Sequence, residues 1–199
     1  MDDRNRTRGF GVIEKYLSSR RAHVADKLIP HGLRKGSLLD IGCGPYPYFL
    51  THTEFNIKVG IDQECQGSSM NLEGITIRQW DVGKNLKLPF ENATFDAVTM
   101  LAVIEHLELD HLISILDEIH RLMKSGGCLI MTSPSFWTAP ILFALSRIGV
   151  ISKLEIDDHK HAYSLSELSL IIGKSHFSTG SCGMGHFEWG MNMWVRVTK

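Results

Sequence analysis

The sequence predicts an α/β fold, in which a mostly parallel sheet carries helices on both faces. Short apolar runs rich in β-branched residues recur along the chain, and longer amphipathic segments separate them. Strands that alternate with helices form βαβ units, and apolar runs without alternation suit strands that are buried on both sides. The chain of 199 residues can bury one sizeable core, so we expect a single domain over residues 1–199.

Five apolar runs are the candidate strands of this sheet. They cover residues 37–41, 57–61, 75–79, 95–101 and 128–132. After residue 177 the chain has no helical period, and the stretch MWVRV alternates between the two faces of an extended chain. Alternation of this kind is typical of a half-buried strand, so we predict an antiparallel hairpin at the C-terminus.

Three segments predict helices. The first covers residues 12–29 and ends before Pro30, so we expect residues 1–30 to form an N-terminal helical cap. In the second, residues 111–124, the apolar side chains share one helical face, and Gly126-Gly127 predicts its end. The third, residues 164–174, begins with a serine and carries a glutamate three residues later, which is the spacing of a capping box.

Composition limits the possible functions. With 21 basic and 22 acidic residues, the chain has no net positive field to attract nucleic acid. Its four cysteines form no C-x-x-C pair, which argues against a structural zinc site and fits a reducing cytosol. The polar N-terminus does not look like a signal peptide, and the apolar stretch 140–151 is too short to span a bilayer. We therefore expect a soluble cytoplasmic protein, and its oligomeric state stays open.

The stretch LLDIGCG, residues 38–44, is a candidate ligand loop. It delivers Asp40 at the end of a strand, and then Gly42 and Gly44. Glycines in such a turn let a ligand approach the backbone beside the N-terminus of the next helix. An ordinary strand-to-helix turn would show the same pattern, so the loop needs support from elsewhere.

Two further acids supply that support. Asp62 ends the second predicted strand and Asp81 follows the third, so three carboxylates fall at the edge where open α/β sheets bind ligands. A carboxylate at the second strand can accept hydrogen bonds from both hydroxyls of a ribose. Pro47 stands where a dinucleotide loop would need its third glycine, and no G-K-[ST] motif follows. The pattern therefore predicts a nucleoside ligand rather than a dinucleotide or a triphosphate.

Five stretches in order resemble the class I S-adenosylmethionine-dependent methyltransferases. They are LLDIGCG, VGID, the DV of QWDV, LPFENATFDAVTMLAVIEHL and EIHRLMKSGGCLIMTSP. The similarity runs from about Leu38 to Pro134 and more loosely to the C-terminus. It implies a Rossmann-like, seven-stranded, mostly parallel sheet whose last strand is antiparallel. It also implies an enzyme that uses S-adenosylmethionine and releases S-adenosylhomocysteine.

The resemblance assigns roles within the loop and at the strand ends. Asp40 and the glycines would line the methionine end of the cofactor, and Asp62 would hold the ribose hydroxyls. Asp81 and the Val82 amide would face the adenine edge, and the backbone of Ala102 would approach the cofactor. The expected cofactor set is Asp40, Gly42, Cys43, Gly44, Asp62, Gln63, Asp81, Val82 and Ala102.

One position departs from the family pattern. Tyr46 replaces a common third glycine and lies between two prolines. Its ring either packs in the ordinary way or offers an aromatic face to the sulfonium.

Methyl transfer from a sulfonium requires mainly in-line alignment and exclusion of water. For a hydroxyl or phenol nucleophile, His106 is the first candidate base and His161 the second. His106 could equally be a packing or capping residue. The polar loop 157–161 resembles a metal cluster in composition, but its crowding favours a solvated or acceptor-binding loop, so we expect no metal.

The resemblance places an acceptor-recognising insertion at residues 135–163. Its apolar residues either cover the core or bind a hydrophobic acceptor such as a quinone or a lipid-linked intermediate. The leading hypothesis is a small-molecule methyltransferase. The alternatives are a methyltransferase of protein or RNA, a catalytically silent S-adenosylmethionine-binding partner protein, and, more remotely, a nicotinamide-dependent oxidoreductase.

Overall fold

An eight-stranded mixed sheet forms the centre of the molecule. The computed structural model describes residues 12–65, 70–72, 74–138 and 161–199. The strands are β1 (Ser37–Ile41), β2 (Ile57–Asp62), β3 (Met70–Leu72), β4 (Ile75–Gln79), β5 (Phe95–Leu101), β6 (Met123–Pro134), β7 (Cys182–Phe187) and β8 (Asn192–Thr198). Their order across the sheet is β3-β4-β2-β1-β5-β6-β8-β7.

The strands β4, β2, β1, β5 and β6 are parallel, so their carboxyl ends share one edge. Strand β8 runs antiparallel to β6 and forms a hairpin with β7, which confirms the predicted C-terminal hairpin. The seven predicted strands are present, and β3 adds an eighth at the margin of the sheet, antiparallel to β4. Three residues are too few for a periodic signal, so the pattern did not reveal β3.

Helices cover both faces of the sheet, as predicted. They are α1 (Val12–Leu28), α2 (Tyr48–His52), α3 (Leu109–Leu122) and α4 (Leu165–Lys174). On one face Leu38 of β1 packs with residues of α1 and α2, and on the other Leu39 packs with residues of α3 and α4. Strands and helices do not alternate throughout. The described residues between β2 and β4, and those between β4 and β5, contain no α-helix.

Two of the three predicted helices have the expected bounds to within one residue. Helix α1 ends at Leu28, before Pro30. Helix α4 begins with the predicted capping box, in which Ser164 and Glu167 each accept a hydrogen bond from the other's backbone amide.

The predicted end of the second helix, residues 111–124, was wrong. Helix α3 ends at Leu122, and Met123 is already extended and paired with Phe95 of β5. The two glycines therefore lie within β6, beside an irregularity in its pairing with β5. Gly126 has a φ of +79°, and a Cβ on Gly127 would lie 2.9 Å from the Asp96 carbonyl oxygen. Gly126 adopts a left-handed conformation, and Gly127 allows β5 and β6 to approach closely. Neither glycine ends the helix.

The predicted insertion, residues 135–163, is described only at its two ends. Phe136–Thr138 forms a single 3₁₀ turn, and residues 161–163 lead into α4, whereas 139–160 lie outside the described residues. None of the described helices combines the length and hydrophobicity that a bilayer crossing would need.

Candidate functional site

The glycine loop leaves β1 at the carboxyl edge and is fixed by β2. The amides of Gly42 and Cys43 both donate to the Ile61 carbonyl oxygen, at 2.8 and 3.2 Å. Gly42 and Gly44 have φ values of +75° and +70°, which side-chain-bearing residues rarely adopt. A Cβ on Gly42 would collide with the side chain of Val103, whereas one on Gly44 would meet, among the described residues, only the Tyr46 carbonyl oxygen, at 4.0 Å. The loop is therefore packed behind Gly42 and open in front of Gly44.

Asp40 is a buried acid at the base of this loop. It is 3% exposed, and its Oδ1 accepts a hydrogen bond of 2.6 Å from the Thr99 hydroxyl of β5. Burial raises the pKa of Asp40 to about 7, the Thr99 bond opposes that rise, and the charge of Asp62 adds to it. The negative field around Asp40 and Asp62 would favour a cationic group of a ligand.

Asp62 connects the end of β2 to the glycine loop. The Gly44 amide donates to its Oδ2 at 3.0 Å, and the Glu64 amide donates to its Oδ1 at 2.8 Å. The side chain is only 3% exposed. Each carboxylate oxygen can accept more than one hydrogen bond, which is compatible with the expected contact to ribose hydroxyls.

Asp81 and Val82 follow β4 and form the far end of the site. Asp81 accepts from the Gly83 amide at 2.9 Å and pairs with Lys84 at 2.9 Å. Partial burial opposes its charge, but the Lys84 and Gly83 hydrogen bonds prevail and lower the pKa of Asp81. The Val82 carbonyl accepts a hydrogen bond of 2.5 Å from Nε2 of His111, at the start of α3. This bond fixes the peptide next to the Val82 amide.

A cleft of about 500 Å³ opens beside these residues. Its lining residues are Gln63, Glu64, Gln79, Trp80, Asp81, Lys84 and Asn85. The buried indole nitrogen of Trp80 has no hydrogen-bond partner among the described residues. Two of the nine expected cofactor residues, Gln63 and Asp81, therefore line one cleft at the ends of β2 and β4.

Cys43 and Ala102 can contribute only in limited ways. The Cys43 side chain is buried, and its thiol, like that of Cys65, donates to the Gly44 carbonyl. Its hydrogen bond with Cys65 and its burial raise the pKa of the Cys43 thiol, so it stays protonated. Ala102 has a φ of +56°, and its amide donates to the Thr132 carbonyl at 2.9 Å. An alanine held in this conformation just past β5 is a strained position of the kind found at ligand sites.

The two candidate histidines lie on neighbouring segments. His106 is half-buried in the 3₁₀ turn Ile104–His106 that follows β5. The His161 amide donates to the Glu105 carbonyl at 3.2 Å, which brings residue 161 beside this turn. His161 Nε2 lies 3.9 Å from a carboxylate oxygen of Glu108. The residues 157–160 of the polar loop lie outside the described residues, and within the described ones no three metal-ligating side chains cluster.

S-adenosylmethionine fits this edge on three observations. The open face at Gly44 leaves room beside the backbone, Asp40 and Asp62 create a negative field, and a cleft begins at the ends of β2 and β4. Three residues in these contacts escaped the sequence reasoning: Thr99, His111 and Glu105. Thr99 and His111 act through partners distant in sequence, so local pattern could not reveal them.

Comparison with known proteins agrees with the fold. A methyltransferase from Mesorhizobium loti that depends on S-adenosylmethionine superposes with a TM-score of 0.67 at 15% identity, covering 92% of this chain and all (100%) of that one. A second such methyltransferase, from Archaeoglobus fulgidus, gives 0.66 at 16% identity and covers 95% of both chains.

Sequence comparison identifies the matched region. The ajmaline N-methyltransferase of Rauvolfia serpentina is 27% identical over 110 residues, which are 49% of this chain and 35% of that protein. The chain thus aligns with about a third of that relative. A family model described as a methyltransferase domain matches residues 39–131, from the glycine loop to β6. The strand order, the glycine loop and this match confirm the resemblance to the class I S-adenosylmethionine-dependent methyltransferases.

Proposed function

We propose that the protein transfers the methyl group of S-adenosylmethionine to a small-molecule acceptor. The observation that carries the proposal is the arrangement of Asp40, Asp62 and Asp81 at neighbouring strand ends around the glycine loop. When bound, the cofactor supplies a methyl group on a positively charged sulfur. The acids and the Val82 amide position it, and the residues after β5 and β6 are left to position the acceptor.

The acceptor side of the edge exposes aromatic side chains. Phe136 and Trp137, which follow β6, are 57% and 41% exposed, and Trp189 in the β7–β8 turn is 99% exposed. The Ser135 hydroxyl donates to the Gly190 carbonyl at 2.6 Å, so the two segments are joined. Aromatic surface at this edge supports an acceptor with an apolar body. The relative named ajmaline N-methyltransferase also supports a small-molecule acceptor.

The histidines have a conditional role in this proposal. If the nucleophile is a hydroxyl, His106 is the base of first choice because it follows β5 directly, and His161 is the second choice. Their segments are bonded through Glu105, so either imidazole could serve the same acceptor. A nucleophile that has already lost its proton requires only alignment from the protein.

Incubation with methyl-labelled S-adenosylmethionine tests the proposal. The purified protein would receive separate metabolite, protein and RNA fractions, and calorimetry would measure cofactor binding in parallel. We expect label in the metabolite fraction. Label in protein or RNA would support the macromolecular alternative, and binding without transfer would support a silent partner protein. Binding of a nicotinamide dinucleotide in place of S-adenosylmethionine would reject the cofactor assignment.

A further inference from the structure

Glu105 is a buried carboxylate that has an unused hydrogen-bonding atom. Its side chain is 2% exposed, and it lies in the 3₁₀ turn Ile104–His106. The oxygen Oε2 is inaccessible to solvent and has no hydrogen-bond partner among the described residues. A buried anion without a partner is unfavourable, so a folded protein rarely retains one without a use.

The two buried carboxylates beside the glycine loop are satisfied. Asp40 accepts from Thr99, and Asp62 accepts from the amides of Gly44 and Glu64. Glu105 differs from Asp40 and Asp62 because one of its carboxylate oxygens accepts no hydrogen bond from the described residues. It has been placed out of water beside the site without a donor from the described parts of the chain.

The position of Glu105 lies on the acceptor side. On one side of the turn, the Val103 side chain lies against Gly42 of the glycine loop. On the other, the Glu105 carbonyl accepts from the His161 amide, and the Tyr163 hydroxyl donates to the Leu107 carbonyl at 3.2 Å. Burial raises the pKa of Tyr163 to about 12, and the charges of Glu108 and Glu105 add to this. Glu105 thus lies between the glycine loop and the start of the segment that leads to α4.

We propose that Glu105 binds the nucleophilic nitrogen of an amine acceptor and takes a proton from it. An ammonium group carries both the N–H donor and the positive charge that a buried carboxylate lacks, whereas an alcohol supplies only the donor. The acceptor class that fits is a primary or secondary amine with an apolar body. This inference rests on the proposed methyl-transfer function and specifies its substrate.

The acceptor enters as an ammonium and forms an ion pair with Glu105. One N–H proton passes to the carboxylate, because a neutral pair is favoured over an ion pair away from water. The freed nitrogen lone pair forms the N–C bond, the C–S bond breaks, and its electron pair stays on sulfur. The positive charge moves from sulfur to the methylated nitrogen, and Glu105 later returns its proton to solvent.

Labelling of a fractionated extract tests the inference. A metabolite extract would be separated on a cation-exchange resin at about pH 7, where amines are protonated. Each fraction would be incubated with methyl-deuterated S-adenosylmethionine and the wild-type protein, and mass spectrometry and NMR would locate the label. We expect label on nitrogen, in compounds from the retained fraction. Label on oxygen or carbon would overturn the inference and leave the proposed function intact.

The variant Glu105→Gln has the same shape without the charge. We expect it to label amines roughly 10- to 150-fold more slowly, the loss typical of a charged hydrogen bond, while its affinity for S-adenosylhomocysteine stays unchanged. Glu91→Gln is the matched control, because Glu91 is exposed and precedes β5 at the opposite edge of the sheet, and it should retain wild-type labelling. A fall in cofactor affinity in Glu105→Gln would place Glu105 at the cofactor instead and overturn the inference.

Thermal unfolding separates function from structure. Replacing an unpaired buried carboxylate with an amide removes an unfavourable charge, so Glu105→Gln should unfold at the same temperature as wild type or higher. Slower labelling together with a lower unfolding temperature would assign Glu105 to structure and overturn the inference. Cofactor binding without label in any fraction would instead contradict the proposed small-molecule methyl transfer.

Discussion

Asp40 shows how burial at a ligand site sets a pH dependence. Its pKa is about 7 in the folded protein, against an ordinary value of 3.8 for an aspartate. Between these values the folded chain holds a proton that the unfolded chain has released, so the contribution of Asp40 to the free energy of unfolding falls as pH rises through that range. The full penalty is present above about pH 7.

The variant Asp40→Asn should remove this contribution. Because an amide does not ionise there, the variant should lose less stability than wild type as the pH is raised from about 4 to 8. Urea unfolding at pH steps measures the free energy of unfolding for both proteins. Parallel curves for the two proteins would show that Asp40 does not titrate in this range.

Asp62 has two roles in the proposed site, and two variants separate them. Asp62→Ala removes the charged acceptor for the ribose and also the tether to Gly44, so cofactor affinity should fall by roughly 1.5 to 3 kcal/mol. Asp62→Asn keeps one oxygen for the Gly44 amide and should give an intermediate loss. Calorimetric titration with S-adenosylhomocysteine measures both, and unchanged affinity in Asp62→Ala would remove this residue from the site.

His111 holds the Val82 carbonyl, and we expect its loss to affect binding of the cofactor's base selectively. In His111→Leu the Val82 carbonyl loses its 2.5 Å bond, so affinity for S-adenosylhomocysteine should fall by about 0.5 to 1.5 kcal/mol. The ratio between the affinities for the adenine form and the hypoxanthine form of that ligand should fall as well. His111→Gln retains a donor and should recover part of the preference. Equal losses for both bases would indicate a general packing effect instead.

At the scale of elements, the start of α4 offers a direct test of local stability. The Ser164 hydroxyl accepts from the Glu167 amide at 3.3 Å, and Glu167 accepts from the Ser164 amide at 2.8 Å. Ser164→Ala should lower the free energy of unfolding by about 1 kcal/mol, as loss of an N-cap does. Ser169→Ala, in the interior of α4, should change it by less than about 0.5 kcal/mol. Equal effects of the two substitutions in chemical denaturation would refute the capping contribution.

Elements with a strong local signal could be predicted from the sequence. Helix α4 begins at a capping box, and β1, β4 and β5 have the predicted bounds. The runs of β1 and β4 stop at Gly42 and at Arg78 and Gln79. The boundary between α3 and β6 could not be predicted, because Met123 suits a helix as well as a strand. Met123 is extended because it pairs with Phe95, and that contact joins residues distant in sequence.

At the scale of the whole molecule, the parallel order of the strands explains why the acids were visible in advance. Each lies at or just after the carboxyl end of a strand, and parallel strands end at one edge, so Asp40, Asp62 and Asp81 could be grouped from the sequence alone. Glu105 and His111 could not, since their significance depends on burial and on a carbonyl contributed by another segment. Pattern thus indicated where a cofactor would lie, and tertiary packing was needed to identify an acceptor residue.

The contact between Gly42 and Val103 has a consequence for the order of events. The glycine loop and the turn that carries Glu105 touch through the valine side chain, which occupies the space that a larger residue at position 42 would need. A displacement of the loop on nucleoside binding would therefore be transmitted to Glu105 two residues further along. This coupling favours sequential binding, with the methyl donor entering first and the amine second, and steady-state inhibition patterns can reveal that order.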